Sequence, residues 1–246
     1  MSNIVKLSRL ETEYILKSKG FLFSILAVIV YTLAIMFSWD NSHGFLKQIS
    51  FRIYYSFYAD IAYYIVITLA ALSLSKEFAF KTSRIIFTSS LSRNQILITK
   101  MISLFIVSLF IALLHQVLGN ILLIIADNTR SVAISIQSAI NTACIYTIFT
   151  FFVGSFAFFI TTLTYSRMWT LIIVILTFIL ERQIRAIIMI FRGDTYTNFL
   201  NQTPFAIATK AFQYNTLNFS GSIILFISSA FLFGVTAFIL TKKEIA

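Results

Sequence analysis

Residues 101–126 read "MISLFIVSLFIALLHQVLGNILLIIA", with no Asp, Glu, Lys or Arg among them. As a helix this run is about 39 Å long at 1.5 Å per residue, enough to cross a hydrocarbon core of about 30 Å. The rest of the chain has the same character. Of 246 residues, 59% are hydrophobic and 11% charged, and mean hydropathy is +0.89. Soluble domains carry about a quarter charged residues, so this much apolar surface cannot hide inside one water-soluble core. The class is an all-α integral membrane protein forming one transmembrane domain over 1–246, without room for an added soluble enzyme domain. The single Cys144 excludes an internal disulfide.

Working outward from 101–126, six spans are expected. Span 1 is roughly Gly20–Trp39, span 2 Ile53–Ser75, span 3 Met101–Ala126 and span 4 Ala139–Thr162. Span 5 begins near Met168, after the short turn "TYSR", and decays into "ERQIRAIIMIF"; span 6 is roughly Gly221–Leu240. With one Pro and seven Gly, the spans should be continuous helices. Residues 1–19, "MSNIVKLSRLETEYILKSK", read as an amphipathic interfacial helix rather than a cleavable signal. Ile4, Leu7, Leu10 and Tyr14 recur at spacings of three and four, with Lys6, Arg9, Glu13 and Lys17 opposite. An ordinary solvated helix is the plainer alternative.

The net charge of +10 does not point to nucleic acid, because the basic residues lie between apolar runs, where they set membrane orientation. Twelve of the nineteen Lys and Arg fall in the N-terminus, residues 75–100, the 165–167 turn and the C-terminus. The opposite loops, 40–52 and 127–138, hold three: Lys47, Arg52 and Arg130. Both termini and the 75–100 segment are therefore expected in the cytoplasm. On the outer side, Glu181–Ser220 is too polar for a clean span and too apolar for a free loop. It is expected to form one or two short outer-leaflet helices, one beginning near Pro204, with a plain extracellular loop as the alternative.

The segment "SKEFAFKTSRIIFTSSLSRNQILITK", 75–100, is a basic and hydroxyl-rich island in this oil. Phe78, Phe80, Ile85, Ile86 and Phe87 on a cytoplasmic segment want a partner surface. A short helix over Lys81–Phe87 would present Arg84 and aromatic rings as a docking knob. The order Glu77, Thr82, a hydrophobic patch, Ser92–Arg93, Ile96–Leu97 and Lys100 resembles the cytoplasmic loop between spans 2 and 3 of ABC-2 type transporter permeases. The N-terminal helix, the six spans, the tight turn between spans 4 and 5, the long outer segment and the terminal "TKKEI" resemble that family too. Lys81 departs from it, since many relatives have Gly before the Thr.

The resemblance implies a bacterial cytoplasmic-membrane exporter of amphipathic peptides such as toxins, bacteriocins or antimicrobial peptides. It implies a separate ABC ATPase subunit, carrying ATP and Mg, docked under a coupling helix. Glu77, Phe80, Lys81, Thr82, Arg84, Phe87 and Arg93 would form that contact. It also implies a second permease copy, identical or closely related. The chain itself has no G-x-x-x-x-G-K-[ST] loop, so it is not expected to be an enzyme or to hold a cofactor.

Among polar residues inside the spans, Asp60 stands out, because an intramembrane acid usually faces a bundle interior or water. His115 lies at a similar depth and could pair with it; Arg182 and Arg185 are rival partners, and Asp60 reaching headgroup water is the plain alternative. Tyr64 belongs to a tyrosine-rich outer half of span 2 that suits either an interfacial aromatic belt or a lining for an amphiphile. No His, Cys and acid cluster has metal-binding spacing. Two other function classes stay open: a proton-coupled secondary transporter using Asp60 and His115, and a non-transporting immunity or sensor protein. The orientation is testable. Single cysteines at Ser92 and Thr195, in a Cys144→Ser background, should label from opposite sides of the membrane with an impermeant thiol reagent. Labelling of position 92 from outside intact cells would reverse the topology.

Overall fold

The computed structural model describes residues 3–43, 51–79, 92–126, 136–192 and 200–242. They form eight helices, with no strand among the described residues. In chain order these are α1 (Asn3–Lys17), α2 (Lys19–His43), α3 (Phe51–Ala79), α4 (Arg93–Ala126), α5 (Ile136–Thr164), α6 (Arg167–Arg192), α7 (Pro204–Tyr214) and α8 (Phe219–Lys242). The expected coupling helix over Lys81–Phe87, with Phe80, lies outside the described residues.

Four helical stretches are long and apolar enough to cross a bilayer: Phe57–Phe78, Arg93–Ile121, Ile136–Thr164 and Phe219–Lys242. A fifth arises if α1 and α2, bent by 58° at their junction, count as one broken span. The remaining expected span, span 5, corresponds to α6. It is 26 residues long but carries Glu181, Arg182 and Arg185 in its second half. The sequence reading ended span 5 near residue 180. The helix instead runs unbroken to Arg192, because its charges share one side and leave Ile172, Leu176, Leu180, Ile184 and Ile187 as a continuous exposed apolar stripe.

α3 is the hub, packing against α2, α4, α5, α6 and α7. Its Ala59, Ala62, Ala70 and Ala71 are fully buried, and such small side chains let neighbouring helices approach closely. α4 and α5 approach closely at Gly154, where a Cβ would lie 3.1 Å from the Sδ and Cε of Met101. Around α7 the core is aromatic. Phe212 sits 4.4 Å from both Tyr146 and Phe149, while Phe205 makes edge contacts with Phe152 and Phe178. Threonines in α5 answer their hydroxyls within the helix: Thr147 and Thr161 donate to the carbonyls of Ala143 and Ala157 at 2.8 Å.

The turn between α5 and α6 is tight. Tyr165 takes φ 49°, a left-handed conformation that costs a non-glycine residue energy. Its amide nevertheless bonds the Thr161 carbonyl, and its ring sits edge-on to Phe78 at the end of α3. Thr164 and Thr170 close the turn through a 2.9 Å hydroxyl contact.

α1 does not dock by its apolar stripe. Leu7, Leu10 and Tyr14 are exposed, as an interfacial helix requires. The seam against the protein consists of Ser8, Thr12 and Ile15, with Glu11 beside them. Glu11 accepts from Lys100 of α4 at 2.6 Å and pairs with Lys76 of α3 at 3.2 Å; Lys100 also meets Glu77 at 2.6 Å. The Lys100 side chain is 8% exposed and those of Glu11 and Glu77 11% and 13%. Two acids and two bases thus neutralise one another where three helices meet. Removing one member of such a buried set leaves an uncompensated charge, at a cost of about 3–5 kcal/mol. Lys100→Met should therefore lower the unfolding midpoint in detergent and expose the α1–α2 junction to trypsin at Lys17 and Lys19. Arg9→Gln, which removes a solvent-exposed pair, should do neither. Wild-type resistance in Lys100→Met would show that the cluster does not hold α1.

Candidate functional site: a polar cluster where α3, α6 and α7 meet

Sixteen positions separate Lys76 from Asp60 on α3, about 24 Å of helix. Against a core of about 30 Å, the ion cluster around Lys100 and the side chain of Asp60 fall near opposite faces of the bilayer. On α6, Arg182 and Arg185 lie about 22 and 27 Å from Arg167 by the same rise. α7 brings a third polar surface to this level. Thr203 caps it, accepting from the Ala206 amide, and Pro204 opens its first turn, where a missing N–H costs nothing. The chain leaves α7 through Asn215 at φ 52°, the left-handed position that Asn tolerates best after Gly.

Two linked groups result. In the first, Asp60 lies 3.7 Å from Arg182 and accepts from Gln213 Nε2 at 3.2 Å, while Arg182 reaches the Tyr64 hydroxyl at 3.5 Å. About a third of both Asp60 and Arg182 is exposed, so this pair is loose and screened. In the second, Glu181 pairs with Arg185 at 3.4 Å, both side chains about 15% exposed, and accepts from Thr209 Oγ1 at 3.2 Å. Tyr63 Oη lies 3.1 Å from the same Thr209 oxygen. Thr209 needs its own proton for Glu181 or for the Phe205 carbonyl at 2.9 Å, so Tyr63 is the donor. Lys210 follows on α7. Burial first, and then the Arg185 charge, push its ammonium pKa below the usual lysine value, with Glu181 acting in the opposite sense.

An amide ladder continues beside this cluster. Asn141 donates to the Asn215 carbonyl at 3.0 Å, Asn215 to Thr142 at 3.3 Å, and Gln116 to Ser138 at 3.0 Å. It fixes the end of α7 to α5 and joins α5 to α4.

His115 stands apart. Fully buried, it shares a 3.0 Å hydrogen bond with Tyr146 through Nδ1 and stacks on Tyr58 with centroids 4.0 Å apart. The expected alternative pairing with Asp60 is not made, and Arg182 and Gln213 take the carboxylate instead. At the other end of the bundle, the Glu77 carboxylate faces Lys100, and Arg93 donates to the carbonyl of Leu240, one of the carbonyls that α8 leaves open at its end. Phe80, Lys81, Thr82, Arg84 and Phe87 lie outside the described residues.

Sequence reasoning had singled out Asp60, Tyr64, Arg182 and Arg185, but not Glu181, Thr209, Lys210 or Gln213. A signal was present for three of them: Glu181 and Arg185 are four apart on one helix, as are Thr209 and Gln213. Among the described residues no three His, Cys, Asp or Glu side chains gather as a metal site. No protein-family model matches the chain, and no curated protein matches it.

The cluster separates two substitutions of one residue. Asp60→Asn keeps an oxygen for Gln213, whereas Asp60→Leu leaves both the Gln213 amide and the Arg182 guanidinium without their acceptor. Loss of a partner from a hydrogen bond to a charged group costs about 1.5–3 kcal/mol when buried, and less at this exposure. Asp60→Leu should lower the unfolding midpoint in detergent more than Asp60→Asn does. Equal midpoints for both variants and the wild type would show that Asp60 is merely hydrated.

Proposed function

We propose that the chain is the membrane-spanning subunit of an ATP-driven ABC exporter in a bacterial cytoplasmic membrane, moving amphipathic peptides outward. A separate ATPase subunit supplies the energy and a second permease copy completes the path. In this arrangement α2, α3, α4, α5, α6 and α8 are six spans with both termini inside, and α6 crosses with its charges turned toward the bundle.

The observation that carries the proposal is the bracing on both sides of the 75–100 island. At its start, Glu77 is held by Lys100, and through Lys100 by Glu11 of α1. At its end, Arg93 donates to the Leu240 carbonyl near the end of α8. A push on the island therefore reaches four helices, which suits an element that receives motion from a partner. The outer cluster, with charges and tyrosines side by side, offers an amphipathic substrate both a polar and an aromatic surface. Nothing favours the proton-relay alternative, because Asp60 and His115 have separate partners.

The anchors of the contact would be Phe80, Phe87 and Arg84, since aromatic and Arg side chains dominate interface energies. Truncating one well-packed anchor costs about 2 kcal/mol, near thirtyfold in affinity. Phe80→Ala or Phe87→Ala, each with Arg84→Ala, should release the ATPase in pull-downs and abolish stimulated ATP hydrolysis in nanodiscs, with the helical content unchanged. Retention of ATPase and normal export by such a double variant would reduce the island to a basic anchor on anionic lipid.

A further inference from the structure

Among the described residues, charge does not balance in the cluster where α3, α6 and α7 meet. Three cations, Arg182, Arg185 and Lys210, face two carboxylates, Asp60 and Glu181. Both carboxylates are engaged: Asp60 by Arg182 and Gln213, Glu181 by Arg185 and Thr209. Arg185 spends its Nε on Glu181, while its Nη1 is buried with no hydrogen-bond partner among the described residues. A buried guanidinium N–H without an acceptor is costly and uncommon. Lys210 forms no ion pair within 4.0 Å among the described residues, although it lies within reach of the Arg185 and Glu181 charges. Two neighbouring cations with one shared carboxylate leave an opening for one more negative group.

We infer that Arg185 and Lys210 form a seat for an oxyanion, and that its occupant is the phosphate of an anionic phospholipid in the adjoining leaflet. The planar guanidinium fork matches phosphate oxygens, and a lysine ammonium adds a point charge to the same group. The position favours a lipid over a soluble anion. Arg185 lies about 27 Å along α6 from Arg167, near the depth of headgroup phosphates in a core of about 30 Å. The seat stands whether or not an ATPase drives the chain.

The full chain, purified in neutral detergent, can be titrated with phosphatidylglycerol, with phosphatidylcholine, and with inorganic phosphate at matched ionic strength, following bound lipid by native mass spectrometry and the unfolding midpoint. Phosphatidylglycerol should bind and raise the midpoint, while phosphatidylcholine should not. Arg185→Gln and Lys210→Gln should each weaken phosphatidylglycerol binding at least fivefold, whereas Lys17→Gln, at an exposed basic site, should leave it unchanged. Lys210 has no ion pair among the described residues, so Lys210→Gln keeps the test readable if Arg185→Gln folds poorly. Equal stabilisation by inorganic phosphate, lost in Lys210→Gln, would support the seat and assign it to a soluble oxyanion. Unchanged phosphatidylglycerol affinity in Lys210→Gln, equal binding of the two lipids, or equal weakening by Lys17→Gln would overturn it.

Discussion

A charge in hydrocarbon must meet its opposite, and in this chain that requirement acts at both ends of α3. At one end Lys76 and Glu77 are drawn into a set of four with Glu11 and Lys100. At the other, Asp60 recruits Arg182 and Gln213. Between them α3 presents alanines and closely packed aromatics to its neighbours. Each polar set thereby specifies which helices surround the hub. α1 and α4 are tied at one end, α6 and α7 at the other. Packing alone specifies register poorly in a membrane, because lipid tails are as apolar as the helix faces.

The two ends are built differently. The set around Lys100 is compact and nearly dry, with 2.6 Å contacts to both acids. The set around Asp60 is looser, with Asp60 and Arg182 separated by 3.7 Å and partly exposed. Tight and dry suits a joint that transmits movement without slack. Open and hydrated suits a surface that exchanges partners, and polar groups there can be satisfied by water when nothing else is bound. Tyr63 and Thr209 mark the boundary between the two regimes, since their hydrogen bond joins the aromatic core to the charges above it.

Most of the architecture was legible because spans announce themselves by length and apolarity. The stretch 101–126, α5 and α8 needed only counting. The extent of α6 was not legible by that rule, since "ERQIRAIIMIF" looks like the end of a span when composition is averaged over a window. Its periodicity, with charges on one side and isoleucines on the other, is what keeps the helix going. The pairing of Asp60 was open in the sequence, because depth along a helix says nothing about rotation: His115 had a suitable height and points elsewhere, into Tyr58 and Tyr146. Glu11 was hidden for a similar reason. On an amphipathic helix the eye follows the apolar stripe, yet that stripe faces outward and the protein is gripped through Ser8, Thr12 and one acid.

The lysine at the centre of the Glu11–Glu77 cluster also bears on how the chain is made. Glu11 and Glu77 are synthesised before Lys100, and they belong to helices that precede α4. Both acids can wait in interfacial water while α4 is still emerging. When Lys100 arrives, its two acceptors are already at the membrane, so the ammonium leaves water only once and in company. The order of the residues along the chain thus matches the order in which a translocating machine would have to solve the charge problem. α4, which carries no Asp, Glu, Lys or Arg over residues 101–126, can then be released into lipid with Lys100 neutralised.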